Sequence, residues 1–254
     1  MKLHFQEYGE GPPLIILHGL FGMLDNWNTV SRILGERFRV YALDQRNHGR
    51  SPHSVKFNYP VMAADVRDFI AEHNLPTCFL LGHSMGGKTA MWTALSYPQL
   101  IERLVVIDIS TRAYPSLHDS ILDALDSVPL SDMKSRQDVD HALSAQIAEA
   151  PVRQFLMKNL ARREDGAFRW KMNLPVISSQ YGEIMKGVDI DAVYSKPTLF
   201  VRSRRSSYIS DRDTVEIRKF FPSSTFVDFD TGHWVHAEAP GQLTTTVAEF
   251  LLGS

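Results

Sequence analysis

The sequence predicts an α/β fold, in which helices cover both faces of a mostly parallel β-sheet. Short apolar runs alternate with stretches of helical periodicity, as in chains built from strand–helix–strand units. Most of these runs lack polar alternation, which is typical of strands that are buried on both faces. The 254 residues are 44% hydrophobic and 22% charged, a composition that supplies a full core and excludes disorder as the main state.

The predicted strands and helices follow one another along most of the chain. Strands are predicted at residues 14–17, 38–43, 79–81, 104–107, 198–201 and 225–229. An amphipathic pattern predicts a helix at 60–73, an Ala- and Met-rich stretch predicts another at 86–96, and the chain ends in a helical stretch at 240–252. The alternation therefore covers residues 1–109 and resumes at residue 196.

The middle of the chain breaks this pattern. Residues 110–195 offer helical stretches at 116–125, 135–148, 151–161 and 175–185, and no convincing strand. An insertion of this length accounts for the residues that a compact α/β domain does not need. We therefore expect an α/β core of residues 1–109 and 196–254, with a helical cap of residues 110–195.

Charge and cysteine content exclude several classes of protein. The 27 Lys and Arg against 29 Asp and Glu give a net charge of -2, without the basic excess of a nucleic-acid-binding protein. Cys78 is the one cysteine, and its apolar surroundings predict a buried, inert thiol. The first residues lack the apolar region of a signal peptide, and no apolar run approaches the ~20 residues of a membrane span. We expect a soluble, cytoplasmic protein. The sequence does not predict its oligomeric state.

The sequence Gly-His-Ser-Met-Gly at residues 82–86 lies between a predicted strand and a predicted helix. A serine hydroxyl is a weak nucleophile, and a sharp strand-to-helix turn exposes it and places a backbone amide beside it. Glycines at both ends let such a turn close. We predict that Ser84 is a nucleophile and that the Met85 amide is an oxyanion donor; an ordinary glycine-rich turn is the alternative.

A second oxyanion donor is expected from the loop after the first predicted strand. That loop reads His18-Gly19-Leu20-Phe21-Gly22. We assign the Leu20 amide as the donor, with Phe21 as the weaker candidate. His18 could be taken for a catalytic base, but its place at a strand end beside Gly19 favours a role in structuring the loop.

A catalytic base is predicted on the loop after the last strand. His233 follows the apolar run at 225–229 and precedes the C-terminal helix, so it can reach Ser84 over the carboxyl edge of the sheet. His236 could pair with His233 as a metal ligand, yet the sequence offers no further ligand cluster. We expect no metal and no cofactor.

The acid that orients the base has several candidates in the sequence. Asp108 directly follows a strand, whereas Asp211 and Asp213 follow a polar stretch and open a helix that Ser210 can cap. Rigid support is best directly at a strand end, and carboxylates at a helix start are favourable without any catalytic role. We favour Asp108 and leave Asp211 and Asp213 open.

With these residues placed, the chain resembles the α/β-hydrolase superfamily over essentially its whole length. Residues 82–88, 18–19 and 232–233 match its nucleophile elbow, oxyanion loop and histidine loop, and residues 44–51 are similar to its D-x-R-x-x-G-x-S loop. The Arg-Asn-His-Gly version of that loop, at residues 46–49, resembles the YbfF-type esterases. The resemblance implies an eight-stranded, mostly parallel sheet, a helical cap after the sixth strand, and hydrolysis of short acyl esters or thioesters.

The resemblance also bears on the acid. Superfamily members commonly carry an aspartate soon after the seventh strand, where this chain has Arg-Ser-Arg-Arg-Ser-Ser at 202–207. The YbfF-type pattern implies instead the aspartate after strand six, which is Asp108. Arg204 and Arg205 stand where that group has Gly and Asn, and with Arg202 they either hold an anionic group of the substrate or are solvated.

These residues predict a serine esterase that acts on a small acyl ester or thioester through an acyl-enzyme. Carbon–carbon bond hydrolysis and perhydrolysis use the same triad, and a ligand receptor that does not turn over is a further alternative. A serine nucleophile argues against haloalkane dehalogenation and epoxide hydrolysis. The aromatic residues of the cap either line the acyl pocket or form the core of the cap: Phe155, Phe168, Trp170 and Tyr181.

Overall fold

The α/β architecture is confirmed in a computed structural model, which describes residues 1–253. The strands are β1 (Phe5–Tyr8), β2 (Pro13–Leu17), β3 (Arg39–Leu43), β4 (Cys78–His83), β5 (Ile101–Ile107), β6 (Leu160–Arg162), β7 (Phe168–Trp170), β8 (Thr198–Ser203) and β9 (Ser224–Phe229). The helices are α1 (Asn28–Leu34), α2 (Tyr59–Glu72), α3 (Met85–Ser96), α4 (Asp119–Ser127), α5 (Arg136–Ser144), α6 (Ala150–Met157), α7 (Leu174–Ser179), α8 (Tyr181–Met185), α9 (Asp211–Phe220), α10 (Val235–Glu238) and α11 (Pro240–Leu252). A short 3₁₀ helix, Leu24–Trp27, precedes α1.

The main sheet has the order β1-β3-β2-β4-β5-β8-β9. β1 runs antiparallel to β3, and the other neighbours are parallel. Within residues 1–253 the sheet has seven strands, so the expectation of eight is wrong. The segment that we expected after the sixth strand follows the fifth, β5. The strand that we did not predict, β1, is a short and partly exposed edge strand without an apolar run.

Neighbouring side chains of the central strands enter opposite apolar layers. In β2, Ile15 and Leu17 pack with α2 and α3, while Leu14 and Ile16 pack with α1 and α11. Both faces of these strands are therefore buried, and this burial explains the missing polar alternation. Cys78 lies in the first of these layers, and burial raises the pKa of its thiol to about 12.

The carboxyl ends of the parallel strands meet at one edge of the sheet, and this edge positions the site. β2, β4, β5 and β9 end directly before the loops that carry Gly19, Ser84, Asp108 and His233. Parallel strands that end together bring loops from distant parts of the chain into contact. Asp108 and His233, for example, are 125 positions apart in sequence and meet at this edge.

The segment between β5 and β8 contains α4 to α8 and a hairpin of β6 with β7. The expectation of no strand in residues 110–195 is therefore wrong. The two strands span three residues each, too few for a sequence pattern, and the turn between them contains Gly166 at φ 85°. Apolar residues of this segment pack in one cluster with Leu20, Phe21 and Met85, so the segment lies over the site loops.

Across residues 1–253, none of the helices has the length and apolar character needed to cross a membrane.

Candidate active site

Ser84 occupies a sharp turn between β4 and α3. Its backbone is in the left-handed region, with φ 53° and ψ -120°, where a residue other than glycine is strained. The turn is tight: a Cβ on Gly82 would lie 2.1 Å from the carbonyl oxygen of Gly86, and a Cβ on Gly86 would lie 2.4 Å from that of Leu17. Both glycines are therefore required by close backbone approach, and the turn presents the Ser84 side chain to a cavity that His233 also lines.

His233 and Asp108 are in direct contact. The Nδ1 atom of His233 lies 2.8 Å from Oδ2 of Asp108, whose side chain is fully buried. The same carboxylate accepts hydrogen bonds from the backbone amide of Ser203, at 3.0 Å, and from the hydroxyl of Ser206, at 2.6 Å. Because a carboxylate accepts from Nδ1–H, the contact leaves Nε2 of the neutral imidazole as an acceptor.

The other two candidate acids lie elsewhere. The side chain of Asp211 is 97% exposed and pairs with Arg202. Asp213 forms a capping box with Ser210 at the start of α9 and pairs with Arg112. Hydrogen bonds from Ser210 and the charge of Arg112 outweigh burial and lower the pKa of Asp213. Among the three aspartates, the structure brings Asp108 to His233.

Several residues that support His233 and Asp108 were missed in the sequence. Ser203 ends β8 and donates its backbone amide, whereas Ser206 lies in the loop that follows and donates its hydroxyl. The ring of Tyr208 stacks on His233 with centroids 4.1 Å apart. His83 donates a hydrogen bond from Nε2 to the His233 carbonyl at 2.8 Å. No local sequence pattern marks these contacts, because they depend on which loops meet in space.

The glycine loop after β2 lies against Ser84. A Cβ on Gly19 would be 3.2 Å from the Cβ of Ser84 and 3.0 Å from Nδ1 of His83. The next residue, Leu20, borders the cavity beside Ser84. Met85 is the first residue of α3, so its amide has no carbonyl partner within the helix. The two predicted oxyanion donors therefore belong to backbone segments that both adjoin Ser84.

Asn159, from the segment between β5 and β8, contacts the glycine loop after β2. Phe21 has a left-handed backbone, with φ 59°, and its carbonyl accepts a hydrogen bond of 2.6 Å from Nδ2 of Asn159. Asn159 is fully buried. The conformation of the glycine loop thus depends on a contact with residues 110–195.

Both ring nitrogens of His18 are engaged by backbone groups. The backbone amide of Gln45 donates to Nε2 at 3.0 Å, so Nδ1 carries the proton and donates to the Gly19 carbonyl at 2.8 Å. Burial lowers the pKa of His18 to about 4. His18 therefore structures the loop, as its sequence position favoured.

The D-x-R-x-x-G-x-S loop at residues 44–51 is scaffolding for the same edge. Asp44 accepts hydrogen bonds from the amides of Leu24 and Arg50, both at 2.8 Å. Arg46 makes a buried, two-pronged contact with Asp65 of α2, at 2.6 and 2.9 Å. The motif ties loops to a core helix, and these contacts engage the side chains of Asp44 and Arg46.

Arg202, Arg204 and Arg205 all lie near carboxylates of the chain. Arg202 pairs with Asp228 at 2.6 Å, and the more exposed Arg204 lies 3.7 Å from the same residue. Arg205 pairs with Glu238 at 2.7 Å, and Glu238 also accepts from the amide of Gly232. These contacts favour the solvated, ion-paired alternative over an anion site.

A large and a small cavity adjoin Ser84. The large one, of about 190 Å³, is bordered by His233 and by apolar side chains, among them Phe155, Leu156 and Trp234. The small one, of about 20 Å³, is bordered by Met85. Leu20, Ser84, His118 and Tyr208 border both cavities.

The four aromatic residues expected in the cap have different environments. Phe155 borders the large cavity. Phe168 is buried in the apolar cluster of the segment, and Trp170 donates from Nε1 to the Leu125 carbonyl at 3.2 Å. Tyr181 accepts backbone hydrogen bonds and contacts His118. Phe155 thus fits the pocket-lining expectation, while Phe168 fits the expectation of a packed cap core.

Three further histidines near the site loops are held in the neutral form. Burial lowers the pKa of His118 to about 4, that of His48 to about 3 and that of His236 to about 3. His236 stacks on Trp27 with ring centroids 4.6 Å apart, so it packs as an aromatic side chain. No group of three or more His, Cys, Asp or Glu residues in the described part of the chain has the arrangement of a metal site.

These histidines predict a loss of stability in mild acid. The unfolded chain takes up a proton on each histidine below about pH 6.5, whereas His18 and His118 stay neutral in the folded state down to about pH 4. Their contribution to stability is therefore complete above pH 6.5 and declines as the pH falls. We expect each such histidine to cost roughly 1 kcal/mol of unfolding free energy at about pH 5.5, measured by urea unfolding. An unfolding free energy that is constant from about pH 7.5 to 5.5 would contradict this, and His53→Gln, at an exposed position, should keep the same slope.

Comparisons with known proteins agree with this architecture. A family model described as alpha/beta hydrolase fold matches residues 12–240. A sn-1-specific diacylglycerol lipase of Danio rerio is 38% identical over 97% of this chain and 80% of its own length. Esterase YbfF of Escherichia coli is 34% identical over 97% of this chain and 95% of its own length. The solved structure of a marine microorganism esterase has 41% identity and a TM-score of 0.96, and covers 98% of this chain and 99% of its own. The chain therefore belongs to the alpha/beta hydrolase family.

Proposed function

We propose that the protein is a serine esterase in which Ser84, His233 and Asp108 form a catalytic triad. The observation that carries this proposal is the 2.8 Å contact of His233 Nδ1 with the buried Asp108, at the edge of a cavity that Ser84 shares. The relatives named as a lipase and an esterase support the same reaction class. The substrate is a carboxylic ester or thioester with a short to medium acyl group.

The proposed reaction begins with attack of the Ser84 oxygen on the ester carbonyl. His233 takes the serine proton on Nε2, and Asp108 fixes the tautomer in which Nε2 is free to accept it. The amides of Leu20 and Met85 hold the oxyanion of the tetrahedral intermediate, each contributing about 3 to 4 kcal/mol to the transition state. His233 then protonates the leaving oxygen, and the bond between the carbonyl carbon and that oxygen breaks.

The second half of the reaction releases the acid. His233 takes a proton from water, which attacks the acyl-enzyme carbonyl, and a second tetrahedral intermediate forms in the same oxyanion site. Its collapse breaks the bond to Ser84 Oγ, and His233 returns the proton to the serine. The elements of water are added across the ester bond, and Ser84 and His233 return to their starting protonation states.

Residues 110–195 act as a cap in this proposal. Their apolar cluster packs on Leu20 and Phe21, and Asn159 holds the Phe21 carbonyl. The cap excludes water from the large cavity and provides Phe155 and Leu156 as part of its wall. Exclusion of water strengthens the hydrogen bonds to the oxyanion.

Sustained turnover tests this function. The purified chain should hydrolyse p-nitrophenyl butyrate with many turnovers per molecule, measured by release of p-nitrophenolate, and an acyl-CoA thioester tested in parallel defines the leaving-group class. A receptor would release about one equivalent and stop. A chain that hydrolyses neither substrate and does not react with a fluorophosphonate would contradict the proposed function.

A further inference from the structure

The large and the small cavity both reach Ser84 but have different residues on their other borders. His233 borders the large cavity, and Met85 borders the small one. His118 and Tyr208 stand at the boundary, because each borders both spaces. A bound ester therefore has separate spaces for the groups on the two sides of its carbonyl carbon.

The chemistry of ester cleavage assigns the two spaces. The leaving oxygen must lie next to His233, because that residue donates the proton that lets it leave. The group attached to this oxygen then extends into the cavity that His233 borders, which has a volume of about 190 Å³. The acyl group lies on the opposite side of the carbonyl carbon, in the cavity of about 20 Å³ that Met85 borders.

The small cavity has room for very little. A space of this measure holds about one water-sized group, which corresponds to the methyl of an acetyl group or slightly more. Its walls are fixed by hydrogen bonds: the Tyr59 hydroxyl donates to the Ile184 carbonyl at 2.6 Å, and the Tyr114 hydroxyl donates to the Tyr208 carbonyl at 2.6 Å. Long acyl chains would have to break these contacts.

Lys88 also borders the small cavity. Its ammonium group is buried and donates to the carbonyl of Arg112, at 2.8 Å, and to that of Lys186. Residues 112 and 186 lie near the two ends of the segment 110–195, so the Lys88 side chain joins both ends of the segment to α3. The two ends cannot move apart without breaking these hydrogen bonds.

The large cavity accepts a bigger and mostly apolar group. Ile121, Val152, Phe155 and Trp234 contribute to its wall. His118, at its boundary, has a fixed partner on Nδ1. The Tyr181 hydroxyl accepts from the amides of Leu117 and His118, so its own proton goes to Nδ1 of His118 at 2.7 Å. Neutral His118 therefore carries its proton on Nε2 and can donate it to an oxygen of the substrate.

We propose that the preferred substrates are esters of a two- or three-carbon acid with a larger, apolar alcohol or thiol. This inference rests on the proposed function and adds the division of the substrate between the two cavities. The small cavity limits the acyl group, and the large cavity recognises the leaving group, with His118 as a hydrogen-bond donor near the carbonyl.

Two series of esters test this division. In p-nitrophenyl esters from acetate to octanoate, we expect kcat/KM to fall at least about 10-fold beyond propionate, because each added methylene must displace packed side chains. In acetates from methyl to hexyl, followed by acid release, we expect kcat/KM to rise at least about 10-fold, because each methylene finds apolar surface. Equal or higher kcat/KM for octanoate than for acetate would overturn the proposal.

Matched variants assign the effects to the cavities. Ile184→Ala should raise kcat/KM for butyrate relative to acetate about 10-fold and leave the alcohol series unchanged, because Ile184 borders the small cavity. Leu117→Ala, at a half-exposed position that also borders the small cavity, should raise the same ratio of butyrate to acetate. This second variant tests whether the small cavity limits the acyl group even if Ile184→Ala does not fold. Val152→Phe should depress kcat/KM for hexyl acetate relative to methyl acetate, without changing the ratio of butyrate to acetate among the p-nitrophenyl esters.

The outcomes separate this inference from the proposed function. Hydrolysis of esters with a long-chain acyl preference, or an acyl ratio that Ile184→Ala and Leu117→Ala both leave unchanged, would overturn the division of the substrate only. Absence of hydrolysis for every ester, together with absence of fluorophosphonate labelling, would overturn the esterase function itself. Parallel shifts of both series in one variant would also overturn the division, because the two cavities would then not act independently.

Discussion

Replacing Ser84 by alanine is expected to lower kcat for ester hydrolysis by about 10⁶-fold, down to the residual rate that binding and the oxyanion site provide. The change removes the atom that forms the acyl-enzyme, and the cavity offers no equivalent nucleophile in the same strained turn. Alanine adds no bulk, so the substrate should still bind. The measurement is p-nitrophenolate release by Ser84→Ala and the native chain at saturating substrate.

A serine outside the site provides the control for this variant. Ser31 in α1 is fully buried, and its hydroxyl has no hydrogen-bond partner in the described part of the chain. Ser31→Ala should therefore keep both the fold and the native kcat. A Ser84→Ala variant that retains more than about a hundredth of the native kcat would show that another group carries the reaction.

Asp108→Asn is expected to lower kcat about 10⁴-fold. An asparagine at this position presents an amide N–H to Nδ1 of His233, so the imidazole would carry its proton on Nε2. That nitrogen would then be unable to accept the proton of Ser84. Because the ring stays in place, KM should change far less than kcat, and steady-state kinetics separate the two.

Asp211→Asn is the matched control for the acid. This side chain is 97% exposed and pairs with Arg202 on the surface, so the substitution should leave kcat within about a factor of two. Near-native activity of Asp108→Asn, or a large loss in Asp211→Asn, would move the orienting acid away from Asp108. Asp213 is a poorer control, because its loss also removes the capping box of α9.

The fold could be predicted from the sequence wherever strands are buried on both faces. Uninterrupted apolar runs at residues 14–17 and 104–107 mark such strands, because no polar side chain is tolerated on either side. The edge strand β1 escaped prediction, since one of its sides faces solvent and Gln6 and Glu7 interrupt it. The hairpin of β6 and β7 escaped it because three-residue strands show no periodicity.

The candidate site was predictable only in its local parts. A tight backbone turn requires glycines at fixed positions around Ser84. The turn can therefore be predicted from the sequence. The pairing of Asp108 with His233 depends on the parallel order of β5, β8 and β9, and the sequence left three aspartates open. The resemblance implies that the loop after β8 lies near the acid, but no sequence pattern marks Ser206 and Tyr208 in it as partners of Asp108 and His233.

The most direct test of the account is the identity of the residue that becomes acylated. The native chain should react with a fluorophosphonate to give one adduct per molecule, and peptide mass spectrometry should place it on Ser84. Ser84→Ala should remain unlabelled, while Ser31→Ala should be labelled like the native chain. An adduct on any other residue, or labelling that persists in Ser84→Ala, would contradict the assignment of Ser84 as the nucleophile.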